Sequence, residues 1–201
     1  MPICPIWVQT KRRRLASGPA LPYPAARKLM TETATLIPLD NVDPALIEAL
    51  LDRAFEPERH LRTAYKVREG MDWLPALSFA AIDAAEHLVG TIQCWPVALT
   101  DLAGRAHPMI MVGPVAVLPE QQARGYGKAL MTATLAALNP MAALPQVMIG
   151  DPEYYERFWG FTNANTGGWD LPGPFARRRL LVRCDNPSVL PEAGMLGPWP
   201  K

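Results

Sequence analysis

The chain predicts a mixed α/β layer fold, and three observations predict it. Apolar extended runs alternate with stretches of helical periodicity. Residues 109–118 are apolar throughout, the pattern of a central strand buried on both faces. Two glycines, Gly125 and Gly127, separate that run from a helical pattern rich in alanine and leucine.

The elements follow in order. Residues 35–39 read as a short strand. Asp43 fits a helix N-cap and Pro44 the first helical position, with Ala45, Ile47, Leu50, Leu51 and Ala54 as the apolar face. A second helix is predicted over 60–69, ending at Gly70. Strands over 78–82 and 88–97 flank a polar turn and pair antiparallel. Within 109–118, Gly113-Pro114 interrupts the ladder, because proline lacks a donor and glycine permits a bulge. The strand is expected to bend there or to part from a neighbour. A helix over 126–138, closed by Asn139-Pro140, is followed by a strand over 146–150. A helix over 153–159 has Asp151 as its N-cap and Pro152 at its first position. A last strand covers 179–183, and the Pro- and Gly-rich tail 185–201 is expected to be loose.

At 201 residues one domain is the default. The net charge of +1 carries no overall nucleic-acid or membrane signature. Residues 1–30 hold Lys11, Arg12, Arg13, Arg14, Arg27 and Lys28 and no acid, so residues 31–201 carry a net −5. This segment reads as a basic, Pro-rich, disordered tail, and Met30 as a candidate start. The domain is then 31–184. Cys4, Cys94 and Cys184 form no C-x-x-C pair, and with the isolated His60, His87 and His107 they predict neither a disulfide framework nor a metal site. A cytoplasmic monomer or homodimer is the expectation, with no membrane partner.

The turn from strand to helix, Leu118-Pro119-Glu120-Gln121-Gln122-Ala123-Arg124-Gly125-Tyr126-Gly127-Lys128, aims backbone N–H groups and a helix N-terminus at one point, which suits a phosphate or pyrophosphate. Glycine there keeps a Cβ out of the ligand's way. A P-loop would need Ser or Thr where Ala129 stands and Gly where Gln122 stands. A dinucleotide fingerprint would need a small residue at Leu130.

Gln122-x-x-Gly125-x-Gly127 after Val115-Ala116-Val117 resembles the acetyl-CoA loop of the GNAT N-acetyltransferase superfamily. Tyr154-Tyr155-Glu156-Arg157-Phe158-Trp159-Gly160-Phe161 resembles the same family's Y-x-x-x-G-F helix. Gly150-Asp151-Pro152, with Gly168-Trp169-Asp170-Leu171-Pro172-Gly173-Pro174, is similar to a bacterial subgroup, the YhbS-like acetyltransferases. The resemblance implies a mixed central sheet splayed between two parallel strands, with helices on both faces. It implies acetyl-CoA as donor, no metal, and direct transfer to a primary amine in a ternary complex. The pyrophosphate would lie on Gln122, Ala123, Arg124, Gly125, Tyr126, Gly127 and Lys128, with Arg124 or Lys128 as counter-charge. Val115 and Val117 would bond the pantetheine arm through their backbone, and the Val115 N–H or a neighbour's would face the oxyanion.

The resemblance also assigns the leaving sulfur's proton donor to Tyr155. Four residues separate Tyr155 from Gly160 where the family usually has three, so strict counting gives Glu156; the position relative to Asp151-Pro152 favours Tyr155. Glu69, Asp72 and Asp151 are candidate bases, alongside a water chain. The acceptor side falls to Tyr65-Lys66-Val67-Arg68-Glu69-Gly70 and Trp73, and the net −5 is compatible with a cationic amine. A non-catalytic acyl-CoA-binding module is the alternative.

Overall fold

The computed structural model describes residues 35–138 and 144–200. The basic segment 1–30 and the Asn139-Pro140 helix stop lie outside those residues. The elements are β1 (Thr35–Pro38), α1 (Pro44–Phe55), α2 (Thr63–Val67), β2 (Phe79–Ile82), β3 (Leu88–Asp101), β4 (Ala106–Val117), α3 (Tyr126–Ala137), β5 (Gln146–Ile149), α4 (Pro152–Trp159), β6 (Gly168–Asp170), β7 (Leu180–Arg183) and β8 (Ala193–Pro198).

One mixed sheet runs β1-β2-β3-β4-β5-β7, with β8 added beside β3 and β6 beside β8. The β4–β5 pair is parallel, and so is β6–β8; the remaining pairs are antiparallel. Helix α3 packs Tyr126, Leu130 and Met131 on one face, against Ile92, Cys94, Val112 and Met148. On the other face, α1 buries Ile47, Leu50 and Leu51 over Ala80 and Ala116. Val67 of α2 joins Trp169, Leu99 and Met111 nearby. The helices therefore cover both faces, as the sequence predicts.

Local signals explain the helix starts. Asp43 caps α1 by accepting the Ala45 N–H at 2.9 Å. At α4, Gly160 adopts φ +71° and the helix closes with Gly160 N–H on Glu156 O, an αL cap, and with Phe161 N–H on Tyr155 O. Leu130 meets a small partner on the sheet instead of on its own helix. A Cβ added at Gly90 of β3 would lie 3.2 Å from Leu130 Cδ1.

Two expectations differ. The helix foreseen over 60–69 is a 3₁₀ turn, Pro57–Leu61, followed by the short α2. The reason is tertiary: the buried Arg59 bonds Asp52 at 2.8 Å, Glu48 and the Tyr65 hydroxyl, tying the turn to α1. The tail is not loose either. β2 covers only the first part of β3, which leaves residues Val97 to Asp101 with an open edge, and β8 takes it. The glycines that look like loop composition permit this close pairing. A Cβ at Gly194 would stand 2.5 Å from Thr100 O, and one at Gly168 would stand 2.3 Å from Glu192 O.

Gly194→Ala is therefore expected to destabilise the protein by about 1–3 kcal/mol through overpacking. Gly197→Ala, where an added Cβ meets nothing within 4 Å, is expected to be near neutral. Urea midpoints of the two variants check this.

Candidate active site

Strands β4 and β5 pair at only two positions, Ile110 with Gln146 and Met111 with Val147. Beyond Met111 they separate, and Gly113-Pro114 lies just past the parting. Opposite them on β3 the register shifts between Ile92 and Cys94, so β4 bulges. Gly113 takes φ +123°, a value that suits glycine, and its peptide with Pro114 is cis. Its carbonyl accepts two hydrogen bonds, from Arg68 Nη1 at 3.1 Å and Trp95 Nε1 at 2.9 Å.

The parting frees backbone groups. Leu118 N–H donates to Val89 O on β3 at 3.0 Å. Alternation along an antiparallel strand then turns the N–H groups of Val115 and Val117 away from β3, into the gap. Both residues line a cavity of about 520 Å³ whose other wall is Gln121, Gln122, Ala123, Gly125, Tyr126, Gly127 and Lys128.

That wall includes the N-terminus of α3. Gly125 at φ +88° is the N-cap of α3 and has no side chain to bond the first turn. The leading N–H groups of α3 therefore have no partner within the helix. Ala123 also has positive φ, +63°, a conformation that costs a non-glycine residue about 1 kcal/mol. At Gly127 the protein itself leaves room, since an added Cβ would meet only Val117 Cγ2 at 3.8 Å. Packing therefore does not demand glycine at 127, whereas a ligand lying on the loop would. Lys128 stretches across the mouth with Nζ 4.0 Å from the Phe158 ring centroid. Arg124, expected as an alternative counter-charge, is exposed and does not line the cavity. The sequence also missed Gln121, whose buried Oε1 has no hydrogen-bond partner among the described residues and is an acceptor in this wall.

Tyr155 and Tyr154 join this cavity to a second one of about 820 Å³. The rotation of α4 places the two spacing candidates differently: Tyr155 is half-buried and lines both cavities, while Glu156 is exposed and lines neither. The Tyr155 ring packs close over Gly150, where an added Cβ would fall 2.6 Å from it. Burial, reinforced by the neighbouring Tyr154, pushes its phenol up to about 12, although Arg179 pulls the other way. Tyr155 is thus a neutral O–H donor at neutral pH.

The second cavity is walled by Met111 to Val115 of β4, Met148 to Asp151, the segment from Pro174 to Ala176, and residues around α2. A third, of about 730 Å³, meets it at Tyr65 and Arg68 and is lined by Lys66, Glu69, Gly70, Trp73, Gln93, Trp95 and Glu48. The expected acceptor-side residues are brought together there, except Val67, which is buried in the core. Of the candidate bases, Asp151 lines the second cavity, Glu69 the third, and Asp72 is exposed outside both. Arg59, Glu48 and Arg179 carried no sequence signal as site residues. Burial works against the Arg59 charge, but its bonds to Glu48, Asp52 and Tyr65 outweigh that and hold its pKa above the ordinary value. Burial pushes the Cys94 thiol up, which removes it as a nucleophile. His107 sits in β4 and bonds Asp101 at 2.9 Å, within the β3–β4 hairpin. Among the described residues no cluster of metal ligands occurs, and no helix is long and apolar enough to cross a membrane.

Comparison with known proteins agrees with this geometry. The profile of the acetyltransferase (GNAT) domain matches residues 42–162. The structure of a GNAT family N-acetyltransferase, YhbS, from Escherichia coli in complex with CoA is similar at a TM-score of 0.63 and 24% identity, covering 92% of this chain and 94% of that one. A GNAT family acetyltransferase from Brucella melitensis in complex with acetyl-CoA has a TM-score of 0.49 and 24% identity, covering 76% of this chain and 88% of that one. No curated protein matches the chain by sequence. With its splayed sheet, glycine loop and matching domain profile, this chain belongs to the GNAT acetyltransferase family.

Proposed function

We propose that this protein is an acetyl-CoA-dependent N-acetyltransferase that moves an acetyl group to a primary amine by direct transfer in a ternary complex. The observation that carries the proposal is the parted β4 edge. Its Val115 and Val117 N–H groups, released from the ladder, face the same cavity as the N-terminal turn of α3 and the Tyr155 ring. One bare strand edge beside one anion site suits a molecule with a diamide arm and a pyrophosphate. The CoA held by the similar Escherichia coli structure supports the same ligand here.

When bound, acetyl-CoA supplies an activated thioester carbonyl. The residues of the chain divide the remaining work. Gly125, Gly127 and the α3 N-terminus hold the pyrophosphate, with Lys128 as counter-charge. The Val115 and Val117 backbone grips the pantetheine as an added strand would. The Val115 N–H, or a neighbour's, would donate to the carbonyl oxygen as charge grows on it. Tyr155 keeps its proton for the departing sulfur. Asp151, on the wall of the cavity that Tyr155 also lines, is the carboxylate best situated to take the proton of the amine, directly or through water.

Acetyl-CoA at about 100 times its Kd is expected to stabilise the fold by about 2.7 kcal/mol. For a chain of this size that raises Tm by roughly 5–10 °C in a thermal-shift assay. ATP and NAD are expected to leave Tm unchanged. The absence of any shift with acetyl-CoA or longer acyl-CoAs would refute the proposal. Binding without CoA release over a broad amine panel would favour the non-catalytic acyl-CoA-binding alternative.

Tyr155→Phe is expected to lower kcat by about 10²-fold while keeping the acetyl-CoA shift. Gly150→Ala, by displacing the Tyr155 ring, is expected to lower kcat in the same direction, with the lost ring contacts to Trp159 and Phe161 visible by NMR. The sign of the pH dependence follows from the raised phenol. Tyr155 stays protonated below about 12, so kcat is expected to show no descending limb up to pH ~10.

A further inference from the structure

The cavity next to Tyr155 has an unusual charge balance. Its lining includes four arginines, Arg59, Arg62, Arg68 and Arg179, against one carboxylate, Asp151. Arg59 is neutralised by Glu48 and Asp52. The neighbouring Arg177 and Arg178 are paired as well, with Asp170 and Glu153. Arg62, Arg68 and Arg179 have no carboxylate partner among the described residues. Arg62 donates to Phe55 O at 3.0 Å, and Arg179 to Gly150 O at 3.3 Å.

Arg68 is the sharpest case. It is 5% exposed, and its guanidinium stacks between the Tyr65 and Trp95 rings, 4.1 and 4.5 Å from their centroids. A buried cation normally has a paired anion, since burial without one is costly. Burial pulls Arg68 down to about 10, so it remains charged at neutral pH. The two aromatic rings offset part of the cost, the Gly113 carbonyl takes one donor, and Glu48, already bonded to Arg59, attracts it from a distance, but among the described residues no carboxylate stands at ion-pair distance. Arg62 and Arg179 stand exposed where Arg68 is buried, so unpaired guanidinium groups run from the rim inward. The same lining also carries apolar side chains, among them Phe55, Met148, Ile149 and Phe175.

We propose that the acceptor is an amine with an apolar body and a carboxylate, the chemistry of an apolar amino acid, and that Arg62, Arg68 and Arg179 receive the carboxylate. The inference rests on the N-acetyltransferase reading above. It narrows the cationic amine acceptor with which the net charge of residues 31–201 is compatible. Surface charges farther than about 8–10 Å are screened at physiological salt, so the cavity's own lining decides. Arginine suits the role because its planar fork takes a carboxylate in a bidentate pairing.

The experiment uses matched pairs with acetyl-CoA and the full chain, reading CoA thiol release. The pairs are leucine with 3-methylbutylamine, methionine with 3-(methylthio)propylamine, and phenylalanine with 2-phenylethylamine. Each pair shares its apolar body and differs by the carboxylate. The expected result is a kcat/KM at least 10-fold higher for the acid in one or more pairs. Arg179→Met is expected to shrink that acid-to-amine ratio at least fivefold, with most of the change in KM. Arg62→Met provides a second variant at the exposed rim should Arg179→Met melt early. Amines that match or outpace their acids would overturn the inference and leave the N-acetyltransferase reading standing. So would a ratio untouched by both variants, or three unreactive pairs in a protein that acetylates other amines. A protein whose Tm ignores every acyl-CoA would instead remove the underlying reading.

Discussion

The Gly113 carbonyl sits where β4 leaves its parallel neighbour, and two side-chain donors, from Arg68 and Trp95, converge on it. A bulge in a central strand interrupts ladder bonds, and the backbone groups released need other partners. Here the inner carbonyl is served by side chains. The outward N–H groups of Val115 and Val117 are left to the cleft. The sheet cannot close this gap, because β5 ends at Ile149 and turns through Gly150 into α4. The free edge, the glycine loop and Tyr155 all follow from that one opening.

The same opening links the cavities. The phosphate-side cavity meets the second through Val115, Tyr154 and Tyr155, and the second meets the third through Tyr65 and Arg68. A donor arriving along β4 from the α3 side would thus present its reactive end where the elements around α2 and the segment before β7 supply different chemistry. Arg68 joins the two halves. It bonds the bulge at Gly113 and lines both the second and the third cavity, so one side chain serves the strand and the space beside it.

Much of the cofactor half is legible in sequence because its determinants are local. The φ values that Gly125 and Gly113 adopt, the Pro44 and Pro152 helix starts and the apolar run of β4 need only short-range stereochemistry. The loop residues from Gln122 to Lys128 line one cavity, apart from Arg124, which is exposed outside it. Tyr155 against Glu156 was ambiguous by counting. The rotation of α4, set by its αL closure and the packing of Tyr155 over Gly150, turns Tyr155 and not Glu156 toward the cavities.

The sequence by itself determined a mixed α/β chain, a strand–glycine–helix anion loop and the family to which these belong, because backbone stereochemistry and hydrophobic periodicity act over a few residues. Only the tertiary structure decided what lines the two cavities around α2. Glu48, Arg59, Arg68 and Arg179 come from separate segments and meet only when α1, α2 and the segment before β7 pack around the parted strands. It also decided that the Pro- and Gly-rich tail becomes β8, since a strand needs an open edge to pair with. That edge exists only because β2 stops short along β3, a long-range fact that no composition of the tail records.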